Sequence, residues 1–404
     1  MVRPISLFLL VMLLVASRGT FSSASPNLIG LLLCLVLIPC LSIVGTRFSQ
    51  KYKITPLLAT FAILLSWSAS IFLFYWATIP KTYLSRYFIL DEFLILLPAL
   101  FWLGALWFVT SPIKDRYAWV LHRFRLDVLL LFIPVSLLVV LSNSIPFFGL
   151  HEGFQLIELF GFLVLMGCAP FFITRILSAK PMKNYELQCS IEEVGFRAGV
   201  RRSRIFVWNT HNRIMNALAI GILFQPRTIV LTDKLIASLT QKELLSVTAH
   251  EFGHHKYWHI PFLLLTAVAS MVWLEKAYAI FGLDVGHNSS FVTQLIFIIF
   301  AIIVVSRQFE EQADAYAAVD NSRVLGETNV SKEGALTMSS ALGVIATTQN
   351  INIFRNDPMH GSIAARQHKL RALVGCSFTD IPINKKVFWI KIVLCASLLL
   401  GFVV

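Results

Sequence analysis

Apolar runs near the length of about 20 residues needed to cross a hydrocarbon core dominate the first 175 residues, with short charged connections between them. They cover 5–17, 28–45, 55–79, 93–111, 128–142 and 154–174. A polar stretch follows, then runs at 260–281 and 291–305, a second polar stretch, and a last run at 387–404. The first run follows Arg3 and precedes Ser22, Ser23, Ala24 and Ser25, so a cleaved signal peptide is a second reading of it.

The pattern changes after Pro181, where Glu192, Glu193, Arg197, Arg201, Arg202 and Arg204 come in quick succession, so a water-facing region begins there. Arg204–Trp208, Met215–Ile220 and Thr228–Leu231 are short, rich in β-branched or apolar residues, and divided by turn material such as Asn209-Thr210-His211-Asn212 and Gln225-Pro226. They read as three strands of a small sheet. Thr240-Gln241-Lys242-Glu243 has the form of a capping box, which predicts a helix starting at that point.

Composition agrees with this reading. The 404 residues are 57% hydrophobic and 14% charged, with a mean hydropathy of +0.74, too apolar for a chain whose whole surface faces water. The net charge of +12 is spread in small clusters between apolar runs. That distribution sets membrane topology and argues against nucleic acid as a partner. Arg47, Lys51 and Lys53 follow the second run, and Lys114, Arg116, Arg123 and Arg125 follow the fourth, whereas 143–153 holds neither Lys nor Arg. Alternating the loops places 178–259 and 307–386 on the cytoplasmic side of a multi-pass integral membrane protein, as in a bacterial inner membrane or its equivalent. The six cysteines show no metal-ligand spacing and read as small buried hydrophobes.

The candidate chemistry lies on the helix behind the capping box. His250 and His254 are one helical turn apart and both aim at one face, with Glu251 alongside, the H-E-x-x-H arrangement of two metal ligands and a general base. A catalytic zinc requires a third protein ligand. Ile260 and Tyr257 occupy the positions where a metzincin would carry its third His and its Gly, which excludes that class. Glu310 is the best remaining donor and Glu275 the rival, though Glu275 adjoins Lys276 and also reads as half of an interfacial ion pair. Asp314 stands one turn beyond Glu310, placed to accept an N–H from a ligand histidine. His255 and His259 read as interfacial polar residues, with an adventitious metal ligand as the second reading of either, and Glu158 in the sixth run reads as packing near an interface, with a transport-pathway residue as its second reading.

From Asn216 to Leu373 these residues resemble the integral-membrane zinc peptidases that include the CaaX prenyl proteases and the HtpX heat-shock proteases. The likeness is carried by Asn216-Ala217-Leu218-Ala219-Ile220-Gly221, by Glu243-Leu244-Leu245 leading into His250-Glu251-Phe252-Gly253-His254, by Ser306-Arg307 with Glu310 and Asp314, and by His360-Gly361-Ser362 ahead of Arg366 and Leu370-Arg371-Ala372-Leu373. Many relatives carry His-Pro where His360-Gly361 stands, and six N-terminal spans exceed the number of the HtpX type. The resemblance implies one Zn2+ per chain held by His250, His254 and Glu310, with Glu251 as base. It also implies contacts of His360 and Arg366 with the oxyanion or substrate, and an extended substrate laid against Asn216, Ala217, Leu218 and Ala219.

The expected fold is a mostly α-helical polytopic membrane protein with a small α+β catalytic domain of gluzincin type. Its expected parts are a transmembrane region of about six spans (1–178), a first catalytic part with the sheet and H-E-x-x-H helix (179–259), a transmembrane hairpin (260–305), a second catalytic part with the third ligand (306–386), and a C-terminal transmembrane helix (387–404). The expected function is zinc-dependent endopeptidase action on peptides or membrane proteins in contact with lipid. The alternative is a non-catalytic transporter or scaffold that keeps the fold, but His250, Glu251, His254, Glu310 and Asp314 are all present and, Glu158 apart, the N-terminal runs carry almost no ionisable residues.

Overall fold

The computed structural model describes residues 25–48, 55–84, 90–111, 116–125, 164, 167–221, 227–282 and 287–403. The apolar runs 5–17 and 128–142, and Glu158 with much of 154–174, lie outside these residues. Two compact units emerge, Met1–Leu165 and Met166–Val404.

In the first unit, α1 (Leu28–Phe48), α2 (Thr55–Phe72) and α4 (Leu90–Thr110) are long apolar helices, with the shorter α3 (Thr78–Leu84) and α5 (Arg116–Phe124) beside them. Their shared core contains Ile63, Trp67, Ile71, Ile95 and Leu103. Polar atoms inside it are paired: Trp67 Nε1 donates to the Ile95 carbonyl (2.8 Å), and Trp102 Nε1 to the Leu35 carbonyl (2.6 Å) in the π-helical turn Leu33–Leu37 of α1. Leu28, Leu41, Leu57, Leu65 and Phe101 leave the outer faces apolar, as lipid contact requires. Among the described residues, Leu28–Phe48, Phe93–Thr110 and His259–Ile280 are long and apolar enough to cross a membrane.

The second unit carries the chemistry. Its elements are β1 (Lys180–Pro181), α6 (Tyr185–Arg197), β2 (Ser203–Trp208), β3 (Ala217–Ile220), β4 (Arg227–Thr232), α7 (Asp233–Ser238), α8 (Gln241–Lys256), α9 (His259–Ile280), α10 (His287–Val324), α11 (Lys332–Thr348), α12 (Ile363–Ala372) and α13 (Pro382–Val403). The sheet has four strands in the order β1-β2-β4-β3, one more than the sequence pattern predicts. The extra strand is the pair Lys180–Pro181, antiparallel to β2 and too short to show an alternation of its own. β4 is buried along its whole length, runs parallel to β2 and antiparallel to β3. β3 therefore forms one edge, and among the described residues no strand pairs its second side.

The helix expected from the capping box is α8. Thr240 Oγ1 accepts from the Glu243 N–H, and the Glu243 carboxylate takes the Thr240 N–H at 3.0 Å. Glu243 also receives the Ser340 hydroxyl at 2.6 Å, so the same carboxylate ties the start of α8 to α11. α8 packs on α10 at close range: a methyl group at Gly253 would stand 3.3 Å from Ala313 Cα. Gly253 and Ala313 let the two backbones approach, and their functional groups then face one another across a short gap. α10 is unbroken through 38 residues, carrying the apolar run 291–305 directly into the segment with Glu310 and Asp314.

Candidate metal centre

α8 and α10 bring His250, His254 and Glu310 together. His250 Nε2 and His254 Nε2 are 3.2 Å apart, and the Glu310 carboxylate oxygens lie 3.6 Å from the first and 3.5 Å from the second. Two imidazole nitrogens and a carboxylate oxygen bound about 2.0–2.1 Å from a tetrahedral ion are separated by roughly 3.3 Å. The triangle has that size, so the three donors fit a single divalent cation without rearrangement.

The state of each ligand follows from its surroundings. Burial drives the His254 imidazole down to about 4, against the pull of the Glu310 charge, so the ring is neutral. Burial would raise the Glu310 carboxyl, but the His360 hydrogen bond and the neighbouring imidazoles hold it well below the usual range. His250 is raised despite its burial, through its contact with Asp314. The cluster thus offers imidazole nitrogens and one carboxylate, a donor set suited to zinc and to other borderline ions.

Outer partners fix the rings. His250 Nδ1 is 2.9 Å from Asp314 Oδ1, which leaves Nε2 as the atom directed at the cation position. Asp314 is itself gripped by Arg366, whose Nε and Nη2 donate to its two oxygens at 2.7 Å each. Burial works against the Asp314 carboxylate, but Arg366 outweighs it and brings the pKa down to about 2. Arg366 also approaches Glu310 Oε2 at 3.6 Å.

His254 is held by a residue that the sequence does not tie to it. His259, expected at an interface, is fully buried, and its Nδ1 lies 2.9 Å from His254 Nδ1. Its Nε2 lies 2.9 Å from Gln312 Oε1, and Gln312 Nε2 donates to Asn384 Oδ1 at 2.8 Å. Phe309 stacks on the His259 ring at a 4.4 Å centroid separation and 4° between planes. His255, the other histidine expected at an interface, is also buried, beside Arg227, and burial drives it down to about 3. It does not join the cluster. The rival ligand Glu275 is also elsewhere, accepting from Gln294 Nε2 at 3.3 Å on α9.

Glu251 lies between α8 and the sheet edge. Burial raises its carboxyl above the ordinary range, with the His250 charge and the nearby Ala219 backbone opposing. His360 Nδ1 is 3.0 Å from Glu310 Oε2, and His360 and Arg366 line a cavity of about 550 Å3 next to the cluster. The wall of that cavity continues through Ala365, Leu370, Leu373 and Ile383, so its far side is apolar. Arg307 binds the Pro358 carbonyl at 2.8 Å and Asn356 Oδ1 at 3.2 Å, which anchors the loop carrying His360 to α10.

The chain is similar in sequence and in fold to known proteins. Residues 181–331 match the model of Peptidase family M48. The chain is 30% identical over 191 residues to CAAX prenyl protease 1 of Saccharomyces cerevisiae, covering 38% of this chain and 42% of that protein. A Protease HtpX homolog of Caldanaerobacter subterraneus is 31% identical over 163 residues, which cover 35% of this chain and 53% of the relative. The chain thus spans under half the length of the yeast protein and little more than half of the bacterial one. The crystal structure of S. mikatae Ste24p superposes with a TM-score of 0.52 at 19% identity, covering 91% of this chain and 97% of that one. The fold is shared across nearly the whole chain: mostly helical, polytopic, with a small sheet.

Proposed function

We propose, from the match of residues 181–331 to the model of Peptidase family M48, that the chain is a membrane-embedded zinc endopeptidase. The observation that carries this reading is the ligand triangle of His250, His254 and Glu310, with edges of 3.2 to 3.6 Å. A zinc ion held there supplies Lewis acidity, polarising the scissile carbonyl and acidifying water.

The remaining steps belong to the side chains. Glu251, next to His250 in sequence and raised by burial, takes the proton of the attacking water and passes it to the leaving amine. The substrate backbone adds to the free edge of β3, where Ala217, Leu218 and Ala219 present their main chain beside Glu251, with Asn216 at the strand's start. His360, on the cavity wall, is the donor for the developing oxyanion. Arg366, with its fork committed to Asp314, acts as a positioning residue that sets the His250 ring through that carboxylate. The substrates proposed are membrane-associated or unfolded polypeptides, cut on the cytoplasmic side to which the Lys and Arg distribution assigns these segments.

The test is Glu251→Gln in the full chain, with zinc content and cleavage of an unstructured membrane-anchored reporter measured together. Zinc should stay bound while cleavage falls by about 10²–10⁴-fold. Undiminished turnover would remove Glu251 as the base, and absence of zinc from the wild-type protein would remove the peptidase reading.

A further inference from the structure

A second cavity, of about 170 Å3, lies where the end of α8, the C-terminal third of α10 and the start of α13 meet, and Lys256, Tyr257, Tyr316, Arg323, Phe378 and Asn384 line it. Its charge is one-sided. Lys256 Nζ sits 4.8 Å above the Tyr316 ring and Arg323 lies 5.5 Å from the Phe378 ring, both contacts to aromatic faces. Among the described residues, no carboxylate pairs with either cation. The Asp320 carboxylate on α10 is taken up by Arg197, which binds both its oxygens at 2.9 and 2.8 Å.

Tyr316 adds an independent sign. It is 97% buried, its exposure being 3%, and its hydroxyl has no hydrogen-bond partner although it lines the cavity. A buried hydroxyl without a partner is rare in folded proteins and marks a place where a further group completes the structure. Two adjacent cations and an unpaired O–H around one small cavity call for an anion with several acceptor oxygens.

The position indicates the source of that anion. Lys256 stands three residues before His259, the first residue of a candidate membrane span, and Asn384 three residues before the apolar run at 387–404. A phosphate at this level is at headgroup depth.

We propose that this cavity binds a phosphate-class oxyanion supplied by the headgroup of an anionic phospholipid, with Lys256 and Arg323 neutralising it and the Tyr316 hydroxyl donating to one oxygen. The site is separate from the metal cluster and does not depend on the peptidase reading.

Calorimetric titration of the delipidated full chain in a zwitterionic detergent tests it, with dihexanoyl phosphatidic acid and inorganic phosphate as separate probes. Saturable binding of the phosphatidic acid is expected, weakened at least about tenfold in Lys256→Gln/Arg323→Gln. Lys385→Gln/Lys386→Gln removes two cations from the same end of α13 and should change affinity less than about twofold, as exposed charges do. Tyr316→Phe should weaken binding several-fold without lowering the thermal midpoint of the unliganded protein, because the lost hydroxyl had no partner. Binding of inorganic phosphate alone would overturn the lipid as source. No saturable binding of either probe, or an equal loss in the Lys385/Lys386 control, would overturn the site.

Discussion

His259 orients His254. With the Gln312 amide NH2 given to Asn384, Gln312 Oε1 accepts from His259 Nε2–H, and His259 Nδ1 is left as an acceptor. His254 Nδ1 must then be the donor across the 2.9 Å contact, so His254 Nε2 carries its lone pair toward Glu310 and His250. His259→Leu should therefore lower zinc affinity about 10–100-fold, the usual cost of losing such a partner. Competition with a chelator measures it, and an unchanged affinity would show that His254 needs no donor-fixing neighbour.

Glu310 closes the triangle from the facing helix, and its carboxylate is the only acidic group among the three donors. Glu310→Ala should leave the chain with two imidazoles one turn apart and little retained metal. Elemental analysis after dialysis checks this, and full zinc occupancy in the variant would reassign the third ligand.

Arg366 and Asp314 form a buried ion pair joined by two hydrogen bonds. Truncating Arg366 to Met leaves the Asp314 charge uncompensated and should cost roughly 3–5 kcal/mol of stability. Replacing both, as Arg366→Met with Asp314→Leu, should cost less than the sum of the single changes. Denaturant unfolding in detergent provides the cycle, and strict additivity would mean that the pair is not coupled.

Glu243 gives an acid-dependent term. Burial would raise its carboxyl, but the Ser340 hydroxyl and the Thr240 donors outweigh it and hold the folded-state value below 4.5. A depressed carboxyl contributes stability that is fully present above its unfolded value, near 4.3–4.5, and is lost as pH falls through the lower folded value. Glu243→Gln should flatten that part of the stability profile below about pH 4.5, and cost about 1 kcal/mol at neutral pH through the weakened cap. Thermal midpoints measured from pH 3 to 7 test both, and parallel profiles for the two proteins would refute the assignment.

Features set by local rules were legible in the sequence. The capping box fixed the start of α8, 3.6-residue periodicity put His250 and His254 on one face, and four-residue spacing put Glu310 and Asp314 on another. The short apolar run before Gly221 was readable as β3 for the same reason. What escaped depends on the chain turning back. α8 ends at Lys256 and α9 begins at His259, with Trp258 in the left-handed region (φ 57°), and this junction returns His259 to His254. No helical spacing relates residues across such a break, so His259 resembled an interfacial residue. Arg366 stands out in the sequence only through the family resemblance, and its grip on Asp314, 52 positions earlier, is a property of the fold. β1, only two residues long, has no pattern to read.

The His259 contact also links the cation position to the bilayer. The residue that sets the His254 tautomer is the first residue of a candidate membrane span, His259–Ile280, with no flexible linker between ring and span. Hydrophobic mismatch is relieved partly by helix tilt, and a tilt of α9 would swing His259 and the ring it steers. Lipid chain length thereby becomes a variable of metal affinity: nanodiscs of short- and long-chain phosphatidylcholine should give different zinc dissociation constants for the wild type, and the same constant for His259→Leu.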